Sequence, residues 1–459
     1  MKKQFSYTAI ILAAMTLTGC GEIQTVFQTN ADEKIAAEAP EPAAEFADEA
    51  AVEREAADDG YDFDAAEAPA AEADVEKAAG DAEMMDAAAA DAALKSADIE
   101  LAPERPVDEP AEEPVEEPPV DSSASPFILT AGEWNDNENW GFFANLVHND
   151  TIRFPSYGLN PVNRVAVTVT HDGTPVRNQT VTLQGDAVLW SAKTDKDGKA
   201  YLFYDAAYAG KELTLETADA EPLAFTAPAD ASGQGGKSVP VLEYTIETGA
   251  ESQHYTDTEV CFMLDTTGSM GDEITYLQMD FAAIAEEVAR DGMTFSMNFY
   301  RDEGDDYVTK CMPFTDDVKE IRQALNQEYA DGGGDTPEAV AEILDDVLTN
   351  GGWHEDTNKI AFLIFDAPPH SGTEQENMIR NAAAAAAEKG IHVVPVVASN
   401  AERDTELFGR ALAIMTDANY VFLTDDSGVG ESHLEPIIGS YDVELLHDII
   451  VRNINEIAE

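Results

Sequence analysis

The chain has 459 residues, room for two or three domains, and its 91 acidic against 26 basic side chains give a formal net charge of −65. So negative a field repels phosphate, which argues against nucleic acid and anionic lipid as direct partners and favours cations and solubility. A halophilic or marine source would account for the same charge without any ligand. Three cysteines are too few for a disulfide framework.

At the N-terminus, Lys2 and Lys3 precede an apolar run, Tyr7 to Leu17, too short to span a bilayer as a stable helix. It ends in Leu17-Thr18-Gly19-Cys20, which resembles a bacterial lipobox. That resemblance implies a lipoprotein signal peptide over residues 1–20, cleavage before Cys20 and acylation of its sulfur; the alternative is an ordinary signal peptide that contains a cysteine. Each buried CH₂ of an acyl chain contributes about 0.8 kcal/mol, so several chains anchor a protein almost permanently. Gly21, rather than Asp, follows the cysteine, which in a Gram-negative cell resembles the outer-membrane sorting pattern. No other stretch is apolar enough to cross a membrane, so the expected location is extracytoplasmic, on a lipid anchor.

Residues 21–125 read as a disordered acidic tether rich in Ala, Glu and Pro. Between Ala31 and Val120 roughly thirty acidic residues face five basic ones, and such a segment buries too little apolar surface to offset its chain entropy. Pro106 to Pro119 should be extended, and the whole spans on the order of 55 Å, more with charge repulsion. Residues 126–250 follow as a second region. Asn135, Asn137 and Asn139 alternate like a calcium loop but lack its leading Asp and its Gly; Trp134 and Trp140 are expected to pin an irregular lead-in against the next domain. From Asn163, alternating runs at 165–170, 179–183, 187–193 and 201–204, separated by the turns His171–Val176 and Thr194–Ala200, predict a small antiparallel sandwich. This stretch resembles carboxypeptidase-regulatory-like or bacterial Ig-like modules and contains nothing catalytic. Gly236-Lys237-Ser238 lacks the first glycine of a phosphate-binding loop, Ala231 standing in its place, so it reads as a linker and no nucleotide is expected.

Residues 257–459 alternate strand and helix, which implies a parallel sheet. The expected strands are 261–264, 294–300, an edge strand at 307–314, 359–365, 391–398 and 420–424. The expected helices begin after Gly271 and cover 316–329, 335–348, 374–389, 404–415 and 442–457. At the end of the first strand, Asp265, Thr267 and Ser269 alternate at i, i+2 and i+4, which on an extended loop points three oxygen-bearing groups one way. One carboxylate and two hydroxyls are hard ligands suited to Mg²⁺ first, and to Mn²⁺ or Ca²⁺. The place is where a parallel α/β sheet puts its ligands, beyond the carboxyl end of a strand.

Asp265-Thr266-Thr267-Gly268-Ser269-Met270 resembles the metal-ion-dependent adhesion site of von Willebrand factor A domains. With Tyr300-Arg301-Asp302, Gly332-Gly333-Gly334-Asp335-Thr336-Pro337-Glu338-Ala339-Val340 and Phe365-Asp366-Ala367-Pro368-Pro369-His370, it resembles the subgroup of hemicentins and of A domains attached to some alpha-kinases. The resemblance implies a doubly wound, mostly parallel, Rossmann-like sheet. It also implies a metal held by the first-loop triad, by a second-loop Thr and by Asp366. Gly334 stands in the place of that Thr, so Asp335 or Thr336 is expected to replace it, Asp335 being slightly favoured for its reach; the alternative for Asp335 is a helix N-cap before Pro337-Glu338. A third carboxylate would raise cation affinity and reduce the positive charge left to attract an acidic ligand. Asp302 and His370 are expected behind the metal or facing a partner, and Pro337 and Glu338 in the first turn of a helix. The resemblance places a strand between Cys261 and Cys311, so both are expected as buried, unpaired thiols. No enzyme signature accompanies these blocks.

The function these features predict is a membrane-anchored protein whose A domain binds a protein partner through a divalent cation, with an acidic residue of the partner completing the ion. The alternatives are a structural envelope scaffold with a stabilising or vestigial metal site and a non-catalytic subunit of an enzyme complex.

Overall fold

In the computed structural model, which describes residues 129–155, 157–229, 239–334, 336–427 and 432–458, the chain enters a strand at once. This is β1 (Thr130–Trp134), followed by the short helix α1 (Trp140–His148). The leader, the acylation position Cys20 and the tether lie outside the described residues, as does Asp335. The stretch expected to be an irregular lead-in is therefore strand and helix. The sequence hides this because Gly132 sits mid-strand: a Cβ there would lie 2.5 Å from the Phe422 ring and 2.7 Å from Tyr441, so the ring packing that requires glycine comes from residues almost 300 positions away.

Eight strands then make two small sheets: β2 (Arg164–His171), β3 (Thr174–Pro175), β4 (Thr180–Gln184), β5 (Val188–Lys193), β6 (Lys199–Phe203), β7 (Glu212–Thr217), β8 (Leu223–Thr226) and β9 (Leu242–Glu247). One sheet joins β3, β2, β6 and β9, the other runs β5-β4-β7-β8. All pairs are antiparallel except β2 with β9. Val165, Val167, Val169, Val181, Leu183, Leu213 and Leu215 alternate inward and are fully buried, the period-2 pattern of strands solvated on one face.

The remaining elements alternate: β10 (Thr258–Asp265), α2 (Gly271–Val288), β11 (Met293–Tyr300), β12 (Thr309–Lys310), α3 (Val318–Leu325), α4 (Val340–Leu344), β13 (Asn358–Phe365), α5 (Thr373–Lys389), β14 (Ile391–Val397), α6 (Arg403–Met415), β15 (Tyr420–Thr424), β16 (Glu444–Leu445) and α7 (Leu446–Ala458). They build an eight-stranded sheet in the order β12-β11-β10-β13-β14-β15-β1-β16. β11, β10, β13, β14 and β15 run parallel. The edge strand β12 and the inserted β1 run antiparallel to their neighbours. This is the doubly wound α/β fold.

Every residue of β10 and of β13 is buried, as strands covered on both faces require. Val260, Phe262 and Leu264 pack with Ile274, Leu277, Phe281 and Ile284 of α2 and with Ile449, Ile450 and Ile454 of α7. Cys261 and Met263 point the other way, into the core that α4, α5 and α6 share with the two small sheets. In α5 the inward residues after Ile379 are Ala382, Ala383, Ala386 and Ala387, small enough for a close approach. Gly390 ends the helix at φ +71°, with the Lys193 stem 3.1 Å from where a Cβ would stand. Arg164 of β2 is buried and stacks over the Trp140 ring at 3.8 Å while donating to Asn137 Oδ1 at 2.7 Å. Asn137 also donates to Ile414 O, and Asn139 to Asn135 O. These asparagines thus serve as structural hydrogen-bonding groups of a turn.

Three differences from the sequence expectation stand out. The 307–314 strand shrinks to two residues. The helix expected from 335 begins only at Val340, and after Leu344 continues as a π-helical turn over Asp345–Thr349. Cys311 is exposed, while Cys261 is buried as expected; β11 lies between their strands and both thiols are free. Among the described residues no helix is long and apolar enough to cross a membrane.

The inserted β1 is locked by a buried ion cluster. Arg410, with no exposed surface, donates from Nε and Nη2 to the two Asp136 carboxylate oxygens, each at 2.8 Å, and from Nη1 to Glu406 at 3.1 Å. Removing one partner of such a pair leaves an uncompensated buried charge. Asp136→Ala should therefore destabilise the protein by about 3–5 kcal/mol, read as a lower urea midpoint with little change in slope.

Candidate functional site

The site is built where β10 and β13 end. Asp265, the last residue of β10, is fully buried. Its Oδ1 accepts from the Thr267 amide at 2.9 Å and from the Thr267 hydroxyl at 2.7 Å, a local turn that bends the chain away from the sheet. Thr266 holds the bend from behind, its hydroxyl donating to Tyr300 O at 2.9 Å. A tight turn over Gly268–Met270 then feeds α2. The Ser269 hydroxyl lies beside Asp366, the first residue after β13, and favours its charged form. Asp265, Thr267, Ser269 and Asp366 are thus gathered at one end of two adjacent strands.

Charge at this point is not balanced by the protein. Asp265 Oδ2 and Asp366 Oδ1 are buried and meet no hydrogen-bond partner among the described residues. Burial, with the Asp366 charge added, pushes the Asp265 carboxyl well above the usual carboxylate range. Burial likewise raises Asp366, opposed by the Ser269 hydroxyl. Two orphaned carboxylate oxygens beside two hydroxyls form a donor set that fits a hard divalent cation. Among the described residues no three His, Cys, Asp or Glu side chains gather tightly enough to hold a metal by themselves, so the hydroxyls are needed to complete the set.

In the second loop the residue placed differently from the sequence reading is Glu338. Thr336 is exposed and Asp335 lies outside the described residues. Glu338, read from the sequence as a helix-start residue, is instead buried with only 4 % of its surface exposed. Its amide donates to Pro368 O at 3.1 Å, its carbonyl accepts from the His370 amide at 3.3 Å, and it bridges Pro369. The Oε2 atom has no partner among the described residues. Burial, and then Asp265, Asp302, Asp366 and Asp305, push its carboxyl up to about 9. The signal for it was the glutamate between Pro337 and Ala339, which also makes good helix-start chemistry and so was absorbed by that reading.

Asp302 and His370 pair on the rim, Oδ1 to Nε2 at 2.6 Å. Asp305, missed in the sequence, ties the loops together: its Oδ2 accepts from the Asp302 amide at 3.1 Å and from the Gly333 amide at 2.8 Å. Behind the site, Glu273 Oε1 accepts from the Ser399 hydroxyl at 2.6 Å, Ser399 Oγ lies 3.1 Å from His433 Nε2, and His433 Nδ1 lies 2.9 Å from Asp425. The spacing is that of a Ser-His-Asp triad. Ser399 is buried and its hydroxyl proton is engaged by Glu273, so the chain of contacts ties His433 and Asp425 to α2.

Residues 259–431 match the sequence model of the von Willebrand factor A domain. An ariadne-like RING finger protein, R811, of Acanthamoeba polyphaga mimivirus is 30 % identical over 117 residues, 24 % of this chain. The matched part spans only 11 % of that relative's length. A crystal structure of the SpRpn10 VWA domain aligns over 36 % of this chain and 87 % of its own, with 9 % identity and a TM-score of 0.28.

The glycine loop sets the spacing of the site. Gly333 has φ +66°, and a Cβ there would lie 3.0 Å from Glu338 Oε1 and 3.1 Å from Thr267 Cβ. Gly333→Ala should cost about 1 kcal/mol or more through the left-handed backbone alone. It should also weaken divalent-cation binding, because Thr267 has to move. Calorimetric titration beside a denaturation curve separates the two effects.

Proposed function

We propose that the von Willebrand factor A domain of this chain is a non-catalytic protein-interaction module, with a divalent-cation site as its docking face, presented outside the cytoplasm from a lipid anchor at Cys20. The observation that carries the reading is the pair of buried, partnerless oxygens, Asp265 Oδ2 and Asp366 Oδ1, beside the Thr267 and Ser269 hydroxyls. Buried charge without a counter-charge is costly, and a hard cation is the group that this donor set accepts. Mg²⁺ suits it best, with Mn²⁺ and Ca²⁺ as substitutes. When bound, the ion supplies a positive centre with a coordination position open to a partner's oxygen. Asp265 and Asp366 hold it, Thr267 and Ser269 orient those carboxylates, and the 331–334 loop sets access. Which partner side chain completes the ion depends on the charge already present at the site.

A second reading, a scaffold whose metal only stabilises the fold, draws support from the depth of the site, since Asp265 is fully buried. The two readings differ in what metal removal does. Asp265→Ala should abolish calorimetric Mg²⁺ and Mn²⁺ binding, beyond the roughly 10–100-fold loss typical of groups behind the ligands. Under the docking reading, captured envelope proteins are released by chelator while the fold persists. Under the scaffold reading, chelator lowers the melting temperature and leaves any captured partner in place. Unchanged metal affinity in the mutant would sink both.

The anchor has its own test. Cys20→Ala should move the protein from the membrane fraction to the soluble extract. Tight retention of that variant through a high-salt wash would overturn lipid anchoring.

A further inference from the structure

Gly334 offers no side chain to a metal, and Thr336 faces solvent. Among the described residues of this loop, the group that reaches toward the site is Glu338. One of its oxygens lies 3.0 Å from where a Gly333 Cβ would stand, and Thr267 Cβ lies 3.1 Å from the same point. Thr267 in turn is bonded to Asp265. The carboxylate is therefore brought in beside the first-loop ligands, buried, with one oxygen unpartnered. A divalent cation in the site would be the counter-charge that this glutamate lacks among the described residues, and would hold it as the carboxylate.

We propose that Glu338 supplies the third negative charge of the cation site, and that the loaded site therefore takes a neutral oxygen from a basic segment of its partner rather than an acidic side chain. This rests on the cation-site reading above and names the partner class for it. Asp265, Asp366 and Glu338 outweigh a divalent ion by one charge, so no net positive charge remains to attract a carboxylate. The rim adds to the same sign. Glu303, Asp306 and Asp331 are exposed on the two flanking loops, and the neighbouring Asp302 and Asp305 face inward onto His370 and onto the Gly333 amide. Arg301, the guanidinium of this loop, is buried: it donates to Tyr329 O at 2.9 Å and lies between the Tyr307 and Tyr329 rings. A partner approaching the ion thus meets acids on the surface and an acid beside the metal. An amide or backbone carbonyl oxygen completes a hard ion without adding charge, while flanking lysines or arginines complement the rim.

The test uses the full chain and two labelled peptides that share lysine flanks and differ only in a central Asn or Asp, followed by anisotropy with Mg²⁺ and with chelator, beside calorimetric Mg²⁺ titration. Wild type should bind Mg²⁺ and prefer the Asn peptide in a chelator-sensitive way. Glu338→Gln should lose roughly 10–100-fold in Mg²⁺ affinity and shift its preference to the Asp peptide. Glu338→Asp, which keeps the charge, should retain the wild-type preference and shows whether the glutamine variant merely misfolds. Wild type preferring the Asp peptide, or Glu338→Gln binding Mg²⁺ within twofold of wild type, overturns the proposal. If wild type binds no Mg²⁺ at all, the cation-site reading itself fails, and the proposal falls with it.

Discussion

The architecture turns on negative charge buried at the end of an apolar sheet. β10 and β13 are covered on both faces, and each runs directly into an aspartate. Water is largely excluded there, so the carboxylates Asp265 and Asp366 lose hydration that the protein only partly replaces with the Thr267 and Ser269 hydroxyls. The loops around them are shaped by this demand. The glycines at 332–334 all have positive φ, and Gly332 and Gly333 let backbone pass where a side chain would strike Asp305, Glu338 or Thr267. Asp305 clasps two loops by their amides instead of leaving those donors open.

A second buried acidic pair, Asp136 and Glu406, is handled in the opposite way. There the chain provides its own cations, Arg410 with two donors to Asp136 and one to Glu406, and Arg403 paired with Glu406. The burial is similar and the chemistry is the same, yet one cluster is neutralised from within and the other is not. The first serves cohesion, since it fastens the turn after β1 to α6. The second leaves Asp265 Oδ2 and Asp366 Oδ1 without a partner among the described residues. That contrast, within one domain, is the physical ground for reading Asp265 and Asp366 as a binding centre rather than as an accident of an acidic chain.

Much of this was legible in the residues. The triad Asp265, Thr267 and Ser269 follows from a period of two on an extended loop, and Asp366 from the family resemblance, which implies an Asp directly after the strand that ends in Ile364-Phe365; the structure brings all four together. Strand 420–424 and the long helix over 373–389 fall within a residue of the pattern because their apolar spacing is regular. β1 was not legible, because Thr-Ala-Gly-Glu-Trp has no alternation and a single β-branched residue, Thr130, and becomes a strand only through its partners at 420–424 and 444–445. Glu338 was hidden for a different reason. Proline followed by glutamate is what a helix start looks like, and only the β-bridge to Pro369 shows the backbone extended there instead. Local propensity and tertiary pairing pointed to different structures, and pairing won.

The insertion of β1 between β15 and β16 also sets an order of events. Thr130 pairs with Thr424, 294 positions along the chain. During synthesis the first strand of this sheet waits, unpaired, until nearly everything else has been made. Its final neighbours arrive last, and loop closure over such a separation is slow compared with the local hairpins of the two small sheets. The small sheets and the β10–β13 centre can collapse early, while the edge of β15 stays open to other chains until β1 returns to cover it. A chain assembled in this order gains from being kept unfolded until its last strand is released, and its least forgiving interval is the one just before the ends of the sheet meet.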